Sequence, residues 1–378
     1  MSKRLFTLMF CGVLFFAGIC GAAEMRKGPY LIYPGDNTAM TVLWQLYSSQ
    51  TCTLEWGSDT SYELGDVNSS EYGDDHQHKF TISGLTPGEK YYYRVLVEGE
   101  EHSGSFVAAP AEDATSVKFL AYGDTRTYPE DHNKVAAEMV ATFLDDPNYQ
   151  TFTLLAGDWV QTGKDEEDWD EQFFDPIYVD CHKMQANLPI NGCGGNHDMG
   201  KKVYKKYLPY PYVEGLYWSF DYGPAQIIVI DQYTKSYDAN SIQLGWIENE
   251  LEESTKEWKF LHFHEPGYSA GGHTCDEDDD MVRELIQPLC EKYGVDIVFA
   301  GHNHYYARCE VNDVTHITTG GGGAPLREPD PNYSEYVVSC ASALHFCKID
   351  INGGELSAEV VDASGEVIDS FVLVHEPE

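Results

Sequence analysis

Apolar and polar residues alternate in short runs through the first third of the chain. Between residues 25 and 112, β-prone runs at Met40 to Tyr47, Thr51 to Trp56, Lys79 to Ser83 and Tyr91 to Val97 are separated by Gly, Asp, Asn and Pro turns, the rhythm of an all-β sandwich. Residues 108–115 read as a linker. From Val117 the pattern changes. Runs at 117–122, 150–156, 226–230, 259–263 and 295–300, rich in Val, Ile, Leu and Phe, predict strands buried on both faces. Between them, Val135, Met139 and Phe143 predict a helix over 131–145, and Leu244, Ile247 and Leu251 one over 241–253. A third, over 279–292, stops at Gly294 and is kinked or shortened by Pro288. The tail from about 343 returns to strand alternation. The reading is an N-terminal all-β domain over 25–112 followed by an α/β domain over 116–378.

The first residues have another character. Lys3 and Arg4 precede an apolar run from Leu5 to Ile19, and Gly21-Ala22-Ala23 offers a small-residue cleavage site, so residues 1–23 read as a secretion signal. The run is short for a membrane span of roughly 20 residues, and Ile19 disfavours lipidation of Cys20. The expected location is secreted or periplasmic. Of ten cysteines, Cys11 and Cys20 fall in the signal. The other eight are Cys52, Cys181, Cys193, Cys275, Cys290, Cys309, Cys340 and Cys347, with no C-x-x-C pair. An even number outside the cytoplasm favours structural disulfides over a thiolate zinc site. The formal charge is −38, and removing Lys3 and Arg4 takes it to about −40. So acidic a surface argues against nucleic acid and membrane as partners. It also repels phosphate, so phosphate chemistry here requires local positive charge, for which metal ions are the obvious source.

Candidate chemistry recurs where strands end. Leu120-Ala121-Tyr122-Gly123 runs into Asp124, Leu155-Ala156-Gly157 into Asp158, and Phe260-Leu261-His262-Phe263 into His264. Ile190 is soon followed by Gly195-Asn196-His197-Asp198, and Phe299-Ala300-Gly301 by His302-Asn303-His304. Each alone reads as an ordinary turn or loop. Together, in α/β sheets that gather ligands at the carboxyl ends of strands, they predict one rim. Two carboxylates, three imidazoles and an amide oxygen suit zinc, iron or manganese rather than calcium. Two such ions about 3.5–4 Å apart clamp both oxygens of an in-line phosphoryl displacement.

Two stretches carry resemblances. Gly84-Leu85-Thr86-Pro87-Gly88, followed by Tyr91-Tyr92-Tyr93-Arg94-Val95, has the layout of a tyrosine corner, and the N-terminal module resembles fibronectin type III domains. The five strand-end blocks, with Gly301-His302-Asn303-His304-Tyr305-Tyr306-Ala307-Arg308 and Gly320-Gly321-Gly322-Gly323-Ala324-Pro325, resemble the calcineurin-like metallophosphoesterases, most closely their purple acid phosphatase branch. That resemblance implies a two-sheet, four-layer catalytic domain holding two metal ions (Fe, Zn or Mn). Asp124 and His304 would bind the first ion, Asn196, His264 and His302 the second, and Asp158 would bridge them. His197 would face the phosphoryl group, stabilising charge or protonating the leaving oxygen. The implied reaction is hydrolysis of a small phosphomonoester by metal-bound hydroxide. Its rivals are a phosphodiesterase or nucleotidase with the same centre, and a non-catalytic extracellular binding protein.

The departures shape the expectations. Two residues after the first aspartate, where relatives carry His or Gly, stands Arg126. Guanidinium has no lone pair for a metal, so Arg126 is assigned to hold phosphate in a bidentate fork, with a salt bridge to a nearby acid as the alternative. Three residues after the bridging aspartate, where purple relatives carry a metal-binding tyrosine, stands Gln161. His132, Gln161 or water would complete the first metal's shell. His262 is expected on the opposite side of its strand from His264, His76 and His78 in an exposed loop, and the acidic run Asp276–Asp280 in solvent. Trp169, Phe173 and Phe174 are expected to pack as core, with a substrate wall as the alternative. Without the tyrosine, the iron-loaded protein should lack the strong visible charge-transfer band of purple relatives; an absorption spectrum showing that band contradicts the reading.

Overall fold

A computed structural model of the chain describes residues 24–198, 201–272 and 280–375. The signal segment, Cys275 and all but Asp280 of the acidic run lie outside them.

The N-terminal module is two packed antiparallel sheets. One orders Met25–Ile32, Ala39–Leu46 and Gln77–Ser83; the other orders Gly65–Ser69, Cys52–Gly57, Lys90–Val97 and Glu100–Val107. Alternate residues of both, among them Val42, Trp44, Leu54, Tyr93 and Val95, form its core. Tyr91 makes the tyrosine corner: its hydroxyl accepts from the Thr86 backbone N–H at 2.8 Å. His78 departs from the loop expectation. It sits on a strand directly opposite Trp44 and lies fully buried, stacked on that indole at 5.3 Å. Only His76 is at the turn, at φ +59°.

The C-terminal domain is two sheets face to face. A six-stranded sheet runs Ile190–Cys193, Thr153–Ala156, Ser116–Tyr122, His345–Asn352, Glu355–Asp362, Val367–Val374. A seven-stranded sheet runs Trp218–Tyr222, Ala225–Val229, Trp258–His262, Ile297–Ala300, Val314–Thr319, Tyr306–Val311, Val337–Ala341. The first three strands of the one, and Ala225–Val229, Trp258–His262 and Ile297–Ala300 of the other, are parallel neighbours. Period-2 alternation sorts their side chains. Ile227, Val229, Phe260 and Phe299 turn inward to meet Phe119 and Ile349. Ile228, Leu261 and Val298 turn outward against Ile247 and Leu251 of the helix Ile242–Glu253. The helix Pro129–Asp145 covers the other outer face with Val135, Met139 and Phe143. Its proline stands in the first turn, where no N–H is required, with Glu130 and Asp131 beside the positive end of the dipole.

Several expectations change. The strand expected from 150 begins at Thr153, because the Gln150 side chain instead bonds Ser105 of the sandwich. The third helix is split. Val282–Ile286 is a wide turn and Gln287–Tyr293 is α-helical, with Pro288 in its first turn and Gly294 ending it at φ +65°. Trp169, Phe173 and Phe174 are core, packed with Trp159 and Tyr207. The disulfide expectation fails for the described cysteines: Cys52, Cys181, Cys193, Cys290, Cys309, Cys340 and Cys347 are all free thiols. Most are buried in separate cores, Cys52 in the sandwich, Cys193 and Cys347 between the sheets, and Cys290 under the outer helices. There they pack as small apolar side chains. Among the described residues no helix is long and apolar enough to cross a membrane.

The two domains share a core. Tyr30, Ile32, Tyr33 and Leu43 of the sandwich belong to the same buried cluster as the sheet interior. At this junction Lys27 is fully buried, donating to Gln45 Oε1 at 2.8 Å and to Asp170, which Arg26 also grips at 2.6 Å. Burial outweighs Asp170 and lowers Lys27 to about 8. Asp170→Asn should therefore cost about 2–3 kcal/mol in denaturant unfolding near neutral pH. The Lys27 share of that cost should vanish as pH rises through about 8, while the Arg26 share persists. A pH-independent cost contradicts this account.

Candidate metal centre

Five strand ends meet at one rim. Asp124 follows Ser116–Tyr122, Asp158 follows Thr153–Ala156 and Asn196 follows Ile190–Cys193, all on one sheet; His264 follows Trp258–His262 and His302 follows Ile297–Ala300 on the facing sheet. Backbone bonds tie the ends together. Asp124 N donates to Gly157 O at 3.0 Å, Gly301 N to His264 O at 2.8 Å, and His302 N to the Asp124 carboxylate at 2.9 Å. Asp124, Asp158 and His302 all take left-handed backbone, at φ +59°, +55° and +67°. That conformation costs such residues about 1–3 kcal/mol each and persists where surrounding structure enforces it. The glycines explain the closeness. A Cβ on Gly301 would stand 2.4 Å from Asp124 Oδ2, and one on Gly157 2.5 Å from His264 Nδ1.

Four donors form one compact set. His264 Nε2 lies 3.0 Å from Asn196 Oδ1, 3.4 Å from Asp158 Oδ1 and 3.3 Å from His302 Nδ1, and His302 Nδ1 lies 3.3 Å from Asn196 Oδ1. Metal–donor bonds of about 2.0–2.1 Å in a tetrahedron put neighbouring donors roughly 3.3 Å apart. The His264 ring is oriented from behind, since Nδ1 is 2.6 Å from Ala156 O, which places a proton there and turns Nε2 toward the oxygens. Nε2 thus faces Asn196 and Asp158 oxygens, a position that favours positive charge, whether a second ring proton or a bound ion carries it. The electrostatics say the same: burial lowers the His264 pKa, but Asp158 and Asp124 outweigh it and push it up to about 10. These residues fit a metal ion.

The neighbouring set is Asp124, Asp158 and His304, whose ligand atoms lie within 4.8 Å of one another. His304 Nδ1 is 2.9 Å from Pro325 O, leaving Nε2 to face Asp124 Oδ1 at 3.6 Å. Arg126 intrudes on this set. Its Nε donates to Asp158 Oδ2 at 3.0 Å, Nη1 to Gln161 Oε1 at 2.6 Å and to Thr127 Oγ1 at 3.2 Å, and Nη2 to His304 Nε2 at 3.2 Å. Four of the five guanidinium N–H donors are thus engaged. The salt bridge is what the structure shows, and no two-pronged edge remains for phosphate. Burial and then Arg126 lower His304 to about 4. Burial alone would raise Asp158, yet His264, His197 and Arg126 hold it below the ordinary carboxylate range.

His197 is half-buried, its N–H donating to Asp158 Oδ1 at 3.0 Å and its Nδ1 2.7 Å from Gln161 O. The candidates for a further ligand resolve differently from expectation. His132 is core, stacked between Tyr122 and Phe173 and lowered to about 3 by burial. Gln161 reaches the rim, but its amide oxygen accepts from Arg126 and Thr127. His262 corrects an error of parity: residues two apart share a strand face, and His262 lies beneath the site, its Nε2 3.0 Å from Leu155 O. Three supporting residues carry no sequence signal as ligands. Gln172 Oε1 accepts from the backbone of Thr127 and Gln161, Gln232 Oε1 from that of His264 and Glu265, and Asp198 from Gly195 and Trp159. Asp198 was visible only as the end of Gly195-Asn196-His197-Asp198.

The comparisons agree with this geometry. Residues 117–306 match the calcineurin-like phosphoesterase family, and residues 27–136 the purple acid phosphatase N-terminal domain. Purple acid phosphatase 18 of Arabidopsis thaliana is 34% identical over 373 residues, covering 76% of this chain and 79% of that protein.

The chain belongs to the calcineurin-like phosphoesterases, in their purple acid phosphatase branch.

Acid phosphatase type 7 of Mus musculus is 26% identical, covering 80% of this chain and 76% of that protein. The purple acid phosphatase from yellow lupin (Lupinus luteus) seeds shares the fold at TM-score 0.76 and 20% identity, over 92% of this chain and 74% of that one. A structure of PhoD does so at TM-score 0.75 and 13% identity, over 93% of each. This phosphoesterase is a metal-dependent phosphatase, in a family of dinuclear metal enzymes. Gly301→Ala should drive Asp124 and His264 apart and lower metal affinity at least tenfold, the scale of lost supporting contacts. Chelator competition that finds affinity unchanged contradicts the close-approach argument.

Proposed function

We propose that this phosphatase hydrolyses small phosphomonoesters outside the cytoplasm, the N-terminal sandwich (25–112) bracing the catalytic domain (116–378). The observation that carries it is the set of converging donors on Asp158, Asn196, His264 and His302, which suits a cation at the strand-end rim. Bound there, an ion supplies positive charge to the phosphoryl oxygens and lowers the pKa of a water. The chain's own residues do the rest. Arg126 places fixed positive charge beside Asp124, Asp158 and His304, so the dianion of a monoester finds compensation inside a strongly acidic protein. His197 holds its Nδ1 proton against Gln161 O, which leaves Nε2 for the leaving oxygen, to which a ring carrying a second proton on Nε2 would give that proton and return to neutral imidazole. Export is supported by the apolar segment Leu5 to Ile19 behind Lys3 and Arg4.

The test compares p-nitrophenyl phosphate, its bis-ester and an alkyl phosphate. The monoesters should be preferred. His264→Ala should abolish turnover, and His197→Ala should lower kcat on the alkyl phosphate about 10²–10⁴-fold while affecting the nitrophenyl ester, whose leaving group needs no proton, far less. Preference for the bis-ester makes the chain a diesterase, and absence of turnover makes it a binding protein.

A further inference from the structure

We propose that Arg126 stands in for one of the family's two metal ions, so that this chain works with a single ion in the Asp158, Asn196, His264 and His302 set. The inference rests on the metal-dependent reading above and deepens it. Three features of the Arg126 site carry it.

The first is that one lone pair cannot serve two partners. The Nδ1 proton of His304 is committed to Pro325 O, so Nε2 holds the only lone pair of that ring, and Arg126 Nη2 lies on it at 3.2 Å. Asp158 divides likewise: Oδ1 faces His264 and accepts from His197 N, while Oδ2 accepts from Arg126 Nε. The carboxylate therefore bridges an ion site and a guanidinium. The second is that the guanidinium is cradled. Its Nη1 is held by Gln161 Oε1 and Thr127 Oγ1, and Gln172 Oε1 fixes both of those residues by their backbone N–H groups. The side chain is only 12% exposed. The third is charge. Asp124 and Asp158 against one divalent ion and one guanidinium leave a single positive charge, whereas a second divalent ion would leave three, packed within a few ångströms at low dielectric. Asp124 then acts as a positioning residue, holding the His302 backbone and sharing the field of Arg126.

The test counts metal. The full-length protein is loaded with excess Zn²⁺, or in parallel Mn²⁺, desalted and measured by mass spectrometry. About one ion per chain is expected, falling to near zero in His302→Ala and unchanged in His304→Ala. Arg126→Gly should raise the count twofold, and Arg126→Lys, which keeps the charge, should leave it at one. Two ions in the unmodified protein, loss of metal in His304→Ala, or a count still at one in Arg126→Gly would each overturn the proposal. Should Arg126→Gly not fold, the His304→Ala count decides. Because no substrate is present, the count succeeds or fails separately from the phosphomonoester reading.

Discussion

Everything at the rim follows from metal-ligating side chains forced together. His264 Nε2 stands 3.0–3.4 Å from Asn196 Oδ1, Asp158 Oδ1 and His302 Nδ1, and His302 Nδ1 3.3 Å from Asn196 Oδ1, a donor set that a bound cation makes favourable. The fold supplies the force. Two sheets packed face to face bring strand ends from residues 124 to 302 into one space, and the left-handed turns at Asp124, Asp158 and His302 aim the side chains inward. The sheet core makes those turns tolerable, because hydrophobic burial of many side chains outweighs about 1–3 kcal/mol of strain at each.

Charge and fold are reconciled locally. A chain of formal charge −38 repels phosphate at a distance, within the roughly 10 Å reach of unscreened charge. At the rim, Arg126 supplies positive charge over a few ångströms, and an ion held there would add to it. The sandwich contributes rigidity: it shares its core with the catalytic sheets and locks Lys27 and Arg26 onto Asp170.

The strands and the rim were legible because their signals are local. Fully apolar runs ending in Gly-Asp, Gly-Asn-His or Gly-His report burial on both faces followed by a close-packed polar end. What escaped depends on contacts between distant residues. His78 is a core histidine because a strand pairing sets it opposite Trp44. His132 looked like a ligand until Tyr122 and Phe173 enclosed it. Cysteine parity implied disulfides, but the described cysteines are free thiols, most of them buried as small apolar side chains. His262 was legible and misread, since a spacing of two fixes its face. Arg126 was recognised as the unusual residue; its hold on Asp158 and His304, 32 and 178 positions away, is a property of the fold.

The most direct measurement of the central claim is X-ray absorption at the zinc edge of the loaded protein. The account predicts a four- to five-coordinate shell at about 2.0–2.1 Å containing two imidazoles. A shell without imidazole, or one built on sulfur, would contradict it.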